Sequence, residues 1–368
     1  AGAVRHLPAA IKRRGLKKAL IVTGPTLIGR GLLDGVLEEM EEQGLLYVIY
    51  NKVEQNPTDE NVEDAVKVFL ENGCDCMLAL GGGAPLDCAK AVGARIARPN
   101  RQIRQLQGLF RVVKQIPMLF AVPTTAGSGS ETTISAVITD TATHHKAAMM
   151  DLVLVPRCAV LDPVLTAGLP PQVTAATGMD ALTHAVEAYL CWTYNTRQSL
   201  RMAEEAVAAI FANLEKAYAD GSDLAAREKM LNASFKAGFA FTRAGVGNVH
   251  AIAHTLGGLY GTAHGLANAV ILPVVLEDYG EAVFAKLARL AELVGVRGAN
   301  DAEKARGFIS EIRAMNARMG IPDGFDFIRD EDMDTMVSWA LKEANPVYPV
   351  PVIYDRARCR NVIERLRK

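Results

Sequence analysis

The first part of the chain alternates short, continuously apolar segments with amphipathic ones. The apolar segments predict buried strands at residues 18–23, 46–50, 76–80 and 118–122. The amphipathic segments predict helices at 32–42 and 58–72, the second with Thr58 or Asp59 as its N-cap. Strands that are apolar throughout and separated by helices are typical of a parallel sheet covered on both faces.

The pattern changes after residue 162. The strand signals disappear, and the Asp162-Pro163 step and Leu169-Pro170-Pro171 mark the break. Long Ala-rich helical patterns follow, at 174–190, 196–219, 223–241, 249–259, 280–294, 302–319 and 330–344. The sequence therefore predicts an α/β domain at 1–162 and an all-α domain at 163–368.

Composition and charge exclude several classes of protein. Half of the 368 residues are hydrophobic, and 40 basic residues against 41 acidic ones leave a net charge of −1. This balance predicts no nucleic-acid partner, and no apolar run reaches the roughly 18 residues that a membrane span needs. The six cysteines are too scattered for a disulfide framework, so we expect a cytoplasmic protein.

A glycine-rich loop follows the third predicted strand. Gly81, Gly82 and Gly83 lead into a predicted helix in which Pro85 is suited to the first position. Bare backbone at a helix N-terminus favours an anion, although the spacing is not that of the common G-x-G-x-x-G fingerprint. Taken alone, the loop is also consistent with a simple strand–helix turn.

A second loop, at 123–131, follows the fourth predicted strand and is rich in hydroxyls and small residues. Two such loops at the carboxyl ends of parallel strands point to a nucleotide crevice. Lys146 lies downstream, as a countercharge for phosphate or as an ordinary surface lysine.

Polar residues recur at helical spacing in the otherwise apolar second half. Asp180 and His184 are four residues apart, as are His250 and His254, and His264 follows in a Gly- and Ala-rich segment. Any one histidine would more often be a hydrogen-bonded core residue. Five buried polar groups together favour a divalent cation such as Fe²⁺, Zn²⁺, Co²⁺ or Ni²⁺. The spacing does not say which histidines bind it.

Long motifs in a fixed order carry a resemblance to one family. They are 56–58, 81–87, 123–131, 137–140, 162–163, 174–189, 250–254 and 264–269. Together these motifs resemble those of the iron-containing (group III) alcohol dehydrogenases, and most of all the lactaldehyde/propanediol and ethanol dehydrogenase branch.

The resemblance implies an N-terminal dinucleotide-binding α/β domain and a helical metal-binding domain, a fold shared with dehydroquinate synthase. It implies NAD or NADP as cofactor, Fe²⁺ or alternatively Zn²⁺ as the metal, and a homodimer or higher homo-oligomer. Asp180, His184, His250 and His264 match the family's metal ligands, and His254 matches a histidine near the nicotinamide that suits a proton relay. The cofactor-contacting positions fall on Gly24, Asn56, Gly81, Gly82, Gly83, Ala84, Asp87, Thr124, Thr125, Ser128 and Lys146.

Three departures from the family pattern stand out. Ala84 replaces a common serine, which removes a hydroxyl contact to the cofactor. Gly24 stands where many members have an aspartate that would repel a 2′-phosphate, so we expect relaxed specificity that admits NADP(H). The chain also begins about one strand later than members usually do.

The resulting expectation is a metal-dependent alcohol dehydrogenase acting on a small uncharged alcohol or aldehyde. The segments 174–190 and 247–270 contain no Lys or Arg, which favours an uncharged substrate. The alternatives are a dehydroquinate-synthase-like lyase, a glycerol-type polyol dehydrogenase on the same fold, and a non-enzymatic binding module.

Overall fold

The computed structural model describes residues 1–142 and 146–368, which form two compact units. The first unit is Ala1–Gly168 and the second is Leu169–Lys368. Within the described residues, no helix combines the length and the apolarity that crossing a bilayer requires.

The first unit is built on a parallel sheet. Its strands are β1 (Lys18–Val22), β2 (Leu46–Tyr50), β3 (Cys76–Gly81), β4 (Gly108–Leu109), β5 (Met118–Pro123), β6 (Ser135–Thr139), β7 (Lys146–Met150) and β8 (Cys158–Ala159). The main sheet has the order β2-β1-β3-β5-β8, and each neighbouring pair is parallel. The predicted parallel sheet is confirmed.

Helices cover both faces of this sheet. They are α1 (Leu7–Lys12), α2 (Pro25–Gly29), α3 (Asp34–Glu42), α4 (Asp59–Glu71), α5 (Gly83–Ala97) and α6 (Ile103–Leu106). Successive strand residues alternate between two cores. Leu20 joins one core with Leu86 of α5, whereas Ile21 joins the other with Ile11 of α1 and Met40 of α3.

A smaller sheet in the first unit was not expected from the sequence. Its order is β4-β7-β6, with β6 antiparallel to β7. Strand β6 alternates buried and half-buried residues, so it lacks the continuous apolar run that revealed the main strands. This sheet places Lys146 at the start of β7.

The segment after Asp162 packs with the first unit. The Asp162 carboxylate accepts hydrogen bonds from the backbone N–H groups of Gly2 (3.0 Å) and Val4 (3.1 Å). Leu165 is buried in the core on that side, and the Arg30 guanidinium donates to the carbonyl of Gly168. The division therefore falls after Gly168, beyond the break at residue 162 that the sequence suggested.

The second unit consists of helices and the loops that connect them, with no strand among its described residues. Its helices are α7 (Pro171–Leu190), α8 (Arg197–Ala219), α9 (Leu224–Ala244), α10 (Asn248–Tyr260), α11 (His264–Tyr279), α12 (Phe284–Leu293), α13 (Asp301–Arg318), α14 (Met333–Ala344) and α15 (Arg356–Glu364). Helix α7 is buried along most of its length and packs against α8, α9 and α11. Helix α11 was not predicted because its apolar run is interrupted by Pro273, which the structure accommodates inside the helix.

Short 3₁₀ turns connect these elements. They are Ala3–His6, Ser130–Thr132, Leu152–Leu154, Pro163–Thr166, Gly280–Ala282 and Asp330–Asp332.

Candidate functional site

The triple-glycine loop joins β3 to α5 in the first unit. Gly81 has φ +154°, and a Cβ there would lie 2.5 Å from Cγ of Pro85, so only glycine fits. Gly82 is the N-cap residue, and α5 begins at Gly83. Pro85 is therefore the third helical residue and not the first, as the sequence had suggested. The N–H groups of this first turn, which includes Ala84, are a favourable site for an anion.

The second loop packs directly against the first. The Thr124 N–H donates to the carbonyl of Gly81 (2.9 Å). A Cβ on Gly82 would lie 3.4 Å from the side chain of Thr125, and one on Gly83 would lie 3.3 Å from that of Ser128. The glycines therefore allow the two loops to approach each other closely.

Two residues of α5 bind the second loop and the segment that follows it. Asp87 accepts hydrogen bonds from Oγ of Ser130 (2.7 Å) and from the Val137 N–H (3.0 Å), so its carboxylate binds protein groups. Lys90 is fully buried and donates to the carbonyls of Thr133 (2.9 Å) and Ser135 (2.8 Å). Lys90 was not expected from the sequence, although a lysine on an otherwise apolar helix face could have indicated it.

The remaining cofactor candidates also lie in the first unit. Gly24 follows β1 and caps α2. Because β1, β3 and β5 are adjacent and parallel, Gly24 and both loops lie at the same edge of the sheet. Lys146 donates to Oδ1 of Asn56 (2.9 Å), and burial lowers the pKa of this lysine. The structure therefore brings together two residues that the sequence treated separately.

The second unit gathers a carboxylate and three imidazoles. One potential ligand atom from each of Asp180, His184, His250 and His264 lies within 4.8 Å of the others. Helix α7 supplies Asp180 and His184, α10 supplies His250, and α11 begins at His264. The first three are nearly inaccessible to solvent, whereas His264 is partly exposed.

Ring packing keeps this cluster compact, and burial keeps His250 neutral. The His184 ring stacks between Phe241 (4.3 Å between centroids) and His250 (4.6 Å). Burial, together with the neighbouring imidazoles, lowers the pKa of His250 well below its ordinary value. A neutral imidazole is the form that ligates a metal, and nitrogen-rich donors with one carboxylate suit Fe²⁺ or Zn²⁺.

Two family models match this chain. Residues 1–163 match the family described as iron-containing alcohol dehydrogenase, and 174–365 match the C-terminal domain of Fe-containing alcohol dehydrogenases. The chain is 39% identical to the NAD-dependent methanol dehydrogenase of Bacillus methanolicus, over 93% of this chain and 90% of that one. It is 41% identical to the 1,3-propanediol dehydrogenase of Klebsiella pneumoniae, over 90% and 87%.

A solved structure also supports this family relationship. The crystal structure of a 1,3-propanediol oxidoreductase superposes with a TM-score of 0.95 at 37% identity, covering 99% of this chain and 95% of that one. The chain belongs to the iron-containing alcohol dehydrogenase family. It is accordingly an oxidoreductase that acts on alcohols.

In this iron-containing alcohol dehydrogenase, two residues that were not expected from the sequence contact the cluster. Asn268 is fully buried, and its Nδ2 lies 2.7 Å from Oδ1 of Asp180 and 3.2 Å from Nε2 of both His250 and His264. Glu187 lies 2.5 Å from Nδ1 of His250 and accepts from the Val249 N–H (2.8 Å).

These contacts define the tautomer of His250. An amide NH₂ can only donate, so Nε2 of His250 accepts and its ring proton is on Nδ1, facing Glu187. The nitrogen with the free electron pair is then directed at the cluster, as a metal ligand requires. The sequence feature that could have indicated Glu187 is a carboxylate three residues after His184, on the same apolar helix.

His254 lies beside the cluster and has its own acidic partner. Its ring stacks on that of His264 (5.1 Å between centroids, 15° between planes). Its Nδ1 lies 2.6 Å from Oε1 of Glu343, on α14. The side chain is 41% exposed, against 3% for His250, so His254 can exchange protons with solvent more readily.

Proposed function

We propose that this protein is an Fe²⁺-dependent alcohol dehydrogenase, with Zn²⁺ as the alternative metal, that transfers hydride between NAD(P)(H) and a small uncharged alcohol or aldehyde. One observation carries the proposal: four potential ligand atoms lie within 4.8 Å of one another among buried helices, in a chain of this family.

The residues fit a divalent metal. Asp180, His184, His250 and His264 would supply one carboxylate and three imidazoles, a donor set that suits a borderline metal ion. Asn268 would hold the Asp180 carboxylate in place through its amide N–H. When bound, such an ion supplies Lewis acidity at the substrate oxygen.

The first unit would hold the cofactor. The N–H groups at the start of α5 would bind its pyrophosphate, and the glycine backbone would allow close approach. Thr124, Thr125 and Ser128 would contact it from the second loop, and Lys146 would add positive charge. When bound, the nicotinamide accepts or donates the hydride.

His254 would carry the proton. The ring is close enough to the cluster to stack on His264, and it is partly exposed. Imidazole is the side chain best suited to proton transfer near neutral pH. We therefore assign proton exchange between the substrate hydroxyl and water to His254.

The proposed substrate class follows from the charges of the residues near the histidines. No Lys or Arg occurs in 174–190 or 247–270, and Glu187 and Glu343 both lie beside the histidines. An anionic substrate of the dehydroquinate type would meet no positive side chain from these segments. The names of the relatives, methanol and 1,3-propanediol dehydrogenases, support short uncharged alcohols.

Metal analysis coupled to activity tests this function. Anaerobically purified protein is expected to hold about one metal ion per chain and to oxidise NAD(P)H with short aldehydes. Chelation should abolish turnover, and re-addition of Fe²⁺ or Zn²⁺ should restore it. Activity in metal-free protein, or full metal content with no turnover of any short alcohol or aldehyde, contradicts the proposal.

Two variants separate the assigned roles. His264→Ala removes one of the four proposed ligands, so it should lose both the metal and turnover. His254→Ala should retain the metal and lose turnover by about 10²–10⁴-fold, the usual contribution of a general acid–base group. Loss of metal from His254→Ala would show that the ligand assignment is wrong.

A further inference from the structure

The proposed relay histidine lies at the end of a three-residue hydrogen-bonded chain. Nδ1 of His254 is 2.6 Å from Oε1 of Glu343, and the Tyr348 hydroxyl donates to the same oxygen at 2.6 Å. Glu343 lies in the last turn of α14, and Tyr348 follows that helix. Neither residue was expected from the sequence.

This chain determines where the ring proton of His254 lies. A carboxylate oxygen accepts hydrogen bonds, so Tyr348 and His254 both donate to Glu343. The proton of a neutral His254 is then on Nδ1, and Nε2, on the other side of the ring, is the unprotonated nitrogen. Tyr348 would restrain the Glu343 carboxylate in the same way that Glu343 restrains the ring.

The charge of Glu343 supports the same arrangement. Burial alone would raise the pKa of Glu343, but the attraction of His254 and the hydrogen bonds from His254 and Tyr348 outweigh it and lower the pKa. Glu343 therefore acts as the hydrogen-bond acceptor for both side chains.

We propose that Glu343, held by Tyr348, is a positioning residue that fixes the Nδ1–H tautomer of His254 and makes Nε2 the atom that accepts the substrate proton. The proposal rests on the proton-transfer role assigned to His254 above. During oxidation, the O–H bond of the alcohol would break as an N–H bond forms at Nε2, and NAD(P)⁺, when bound, would accept the hydride from the carbinol carbon. The protonated ring then releases its proton to water, so atoms and charge balance.

A purely structural role explains this pair poorly. The side chains of His254 and Glu343 are 41% and 33% exposed, and ion pairs with this much solvent contact contribute only about 0–1 kcal/mol to stability. The pair is, however, adjacent to a proposed metal ligand through the stack on His264.

The test uses Glu343→Ala, Glu343→Gln and Tyr348→Phe in the full-length, metal-loaded protein. Asp334→Asn is the matched control, because Asp334 is an exposed acid on the same helix that pairs with Arg356. For Glu343→Ala we expect kcat for alcohol oxidation to fall about 10–100-fold with metal content unchanged, the usual loss for an orienting partner. Glu343→Gln, which can still accept from Nδ1–H, should recover part of that loss, and Tyr348→Phe should lose less than Glu343→Ala. The control should match the wild type.

Nitrogen NMR provides a readout that does not depend on turnover. In Zn²⁺-loaded protein labelled with ¹⁵N-histidine, the proton of neutral His254 should be on Nδ1 in the wild type and in Asp334→Asn. In Glu343→Ala that preference should be lost. An unchanged tautomer together with unchanged kcat in Glu343→Ala overturns the proposal.

A double variant distinguishes this inference from the function on which it rests. If His254→Ala reduces turnover, adding Glu343→Ala should reduce turnover no further, because both changes disable the same His254–Glu343 pair. A full additional loss shows that Glu343 acts elsewhere and overturns the inference alone. Full turnover in His254→Ala overturns both the inference and the relay, whereas absence of metal-dependent alcohol turnover in the wild type refutes the proposed function itself.

Discussion

The close approach of α11 to α7 at Gly265 offers a sharp test of how the proposed metal site is built. Gly265 follows His264 directly and lies against the backbone of α7. A Cβ at this position would lie 2.8 Å from the carbonyl carbon of Ala176 and 3.2 Å from Cβ of Asp180. Substitution by alanine therefore pushes apart the two helices that carry His264 and Asp180.

The size of the displacement follows from these distances. Carbon atoms in contact lie about 3.5–4.0 Å apart, so relieving the clash at 2.8 Å requires a shift of roughly 0.7–1.2 Å. Metal–ligand distances tolerate deviations of only about 0.2 Å. Gly265→Ala should therefore weaken metal binding on the order of 10–100-fold, comparable with the loss of an orienting partner. Overpacking should also destabilise the metal-free protein by about 1–3 kcal/mol.

The assay is competition for Zn²⁺ or Fe²⁺ with a chromophoric chelator, together with thermal unfolding of the metal-free protein. Gly257→Ala is the matched control on α10, since its Cβ would lie 3.7 Å from the Thr262 carbonyl oxygen, an ordinary contact. We expect the control to bind metal like the wild type. Wild-type metal affinity in a folded Gly265→Ala variant would refute the idea that this helix approach sets the ligand geometry.

Two further predictions concern the first unit. Gly24→Asp should raise the ratio of kcat/KM for NADH to kcat/KM for NADPH by roughly tenfold or more, because an added carboxylate repels a 2′-phosphate. In the wild type this ratio should stay below about a hundredfold, and a larger ratio contradicts the expected relaxed specificity. Burial raises the pKa of Glu131 from 4.5 to about 7. Between these two pH values the folded protein therefore keeps a proton on Glu131 that the unfolded chain has lost. The contribution of this proton to folding stability is complete below pH 4.5 and is lost as the pH rises through 7. Urea unfolding at pH 5 and 7.5 should show a smaller fall in stability for Glu131→Gln than for the wild type, by up to about 3 kcal/mol, and equal falls would contradict this assignment.

Hydrophobic patterning was sufficient for the main sheet because its strands are buried on both faces. Strand β2 spans Leu46–Tyr50 as predicted, and β3 is only one residue longer. The capping box at Thr58 likewise confirmed the predicted start of α4. Strand β6 was missed because one of its faces is half exposed, and α11 because Pro273 interrupts a run that has no polar stripe.

The residues that support the site were harder to predict than the candidate ligands. Spacing of four on a helix places Asp180 and His184 on one face, but it does not show which helix lies opposite. Asn268 and Glu187 became visible only once α7, α10 and α11 had packed together, because their contacts with His250 are 18 and 63 residues apart in sequence. Glu343 is 89 residues from its partner His254.

The same reasoning explains why the sequence could not separate the roles of His250 and His254. Residues four apart on an α-helix are rotated by only about 40°, so both fall on one stripe. That small rotation is enough to give the two rings different surroundings, since His250 is 3% exposed beside Glu187 and His254 is 41% exposed beside Glu343. Each carboxylate binds Nδ1, so Nε2 is the unprotonated nitrogen of each neutral ring, and burial determines which groups Nε2 can contact. The buried ring faces the other cluster residues, which suits a metal ligand, while the exposed ring has access to water, which suits a proton carrier.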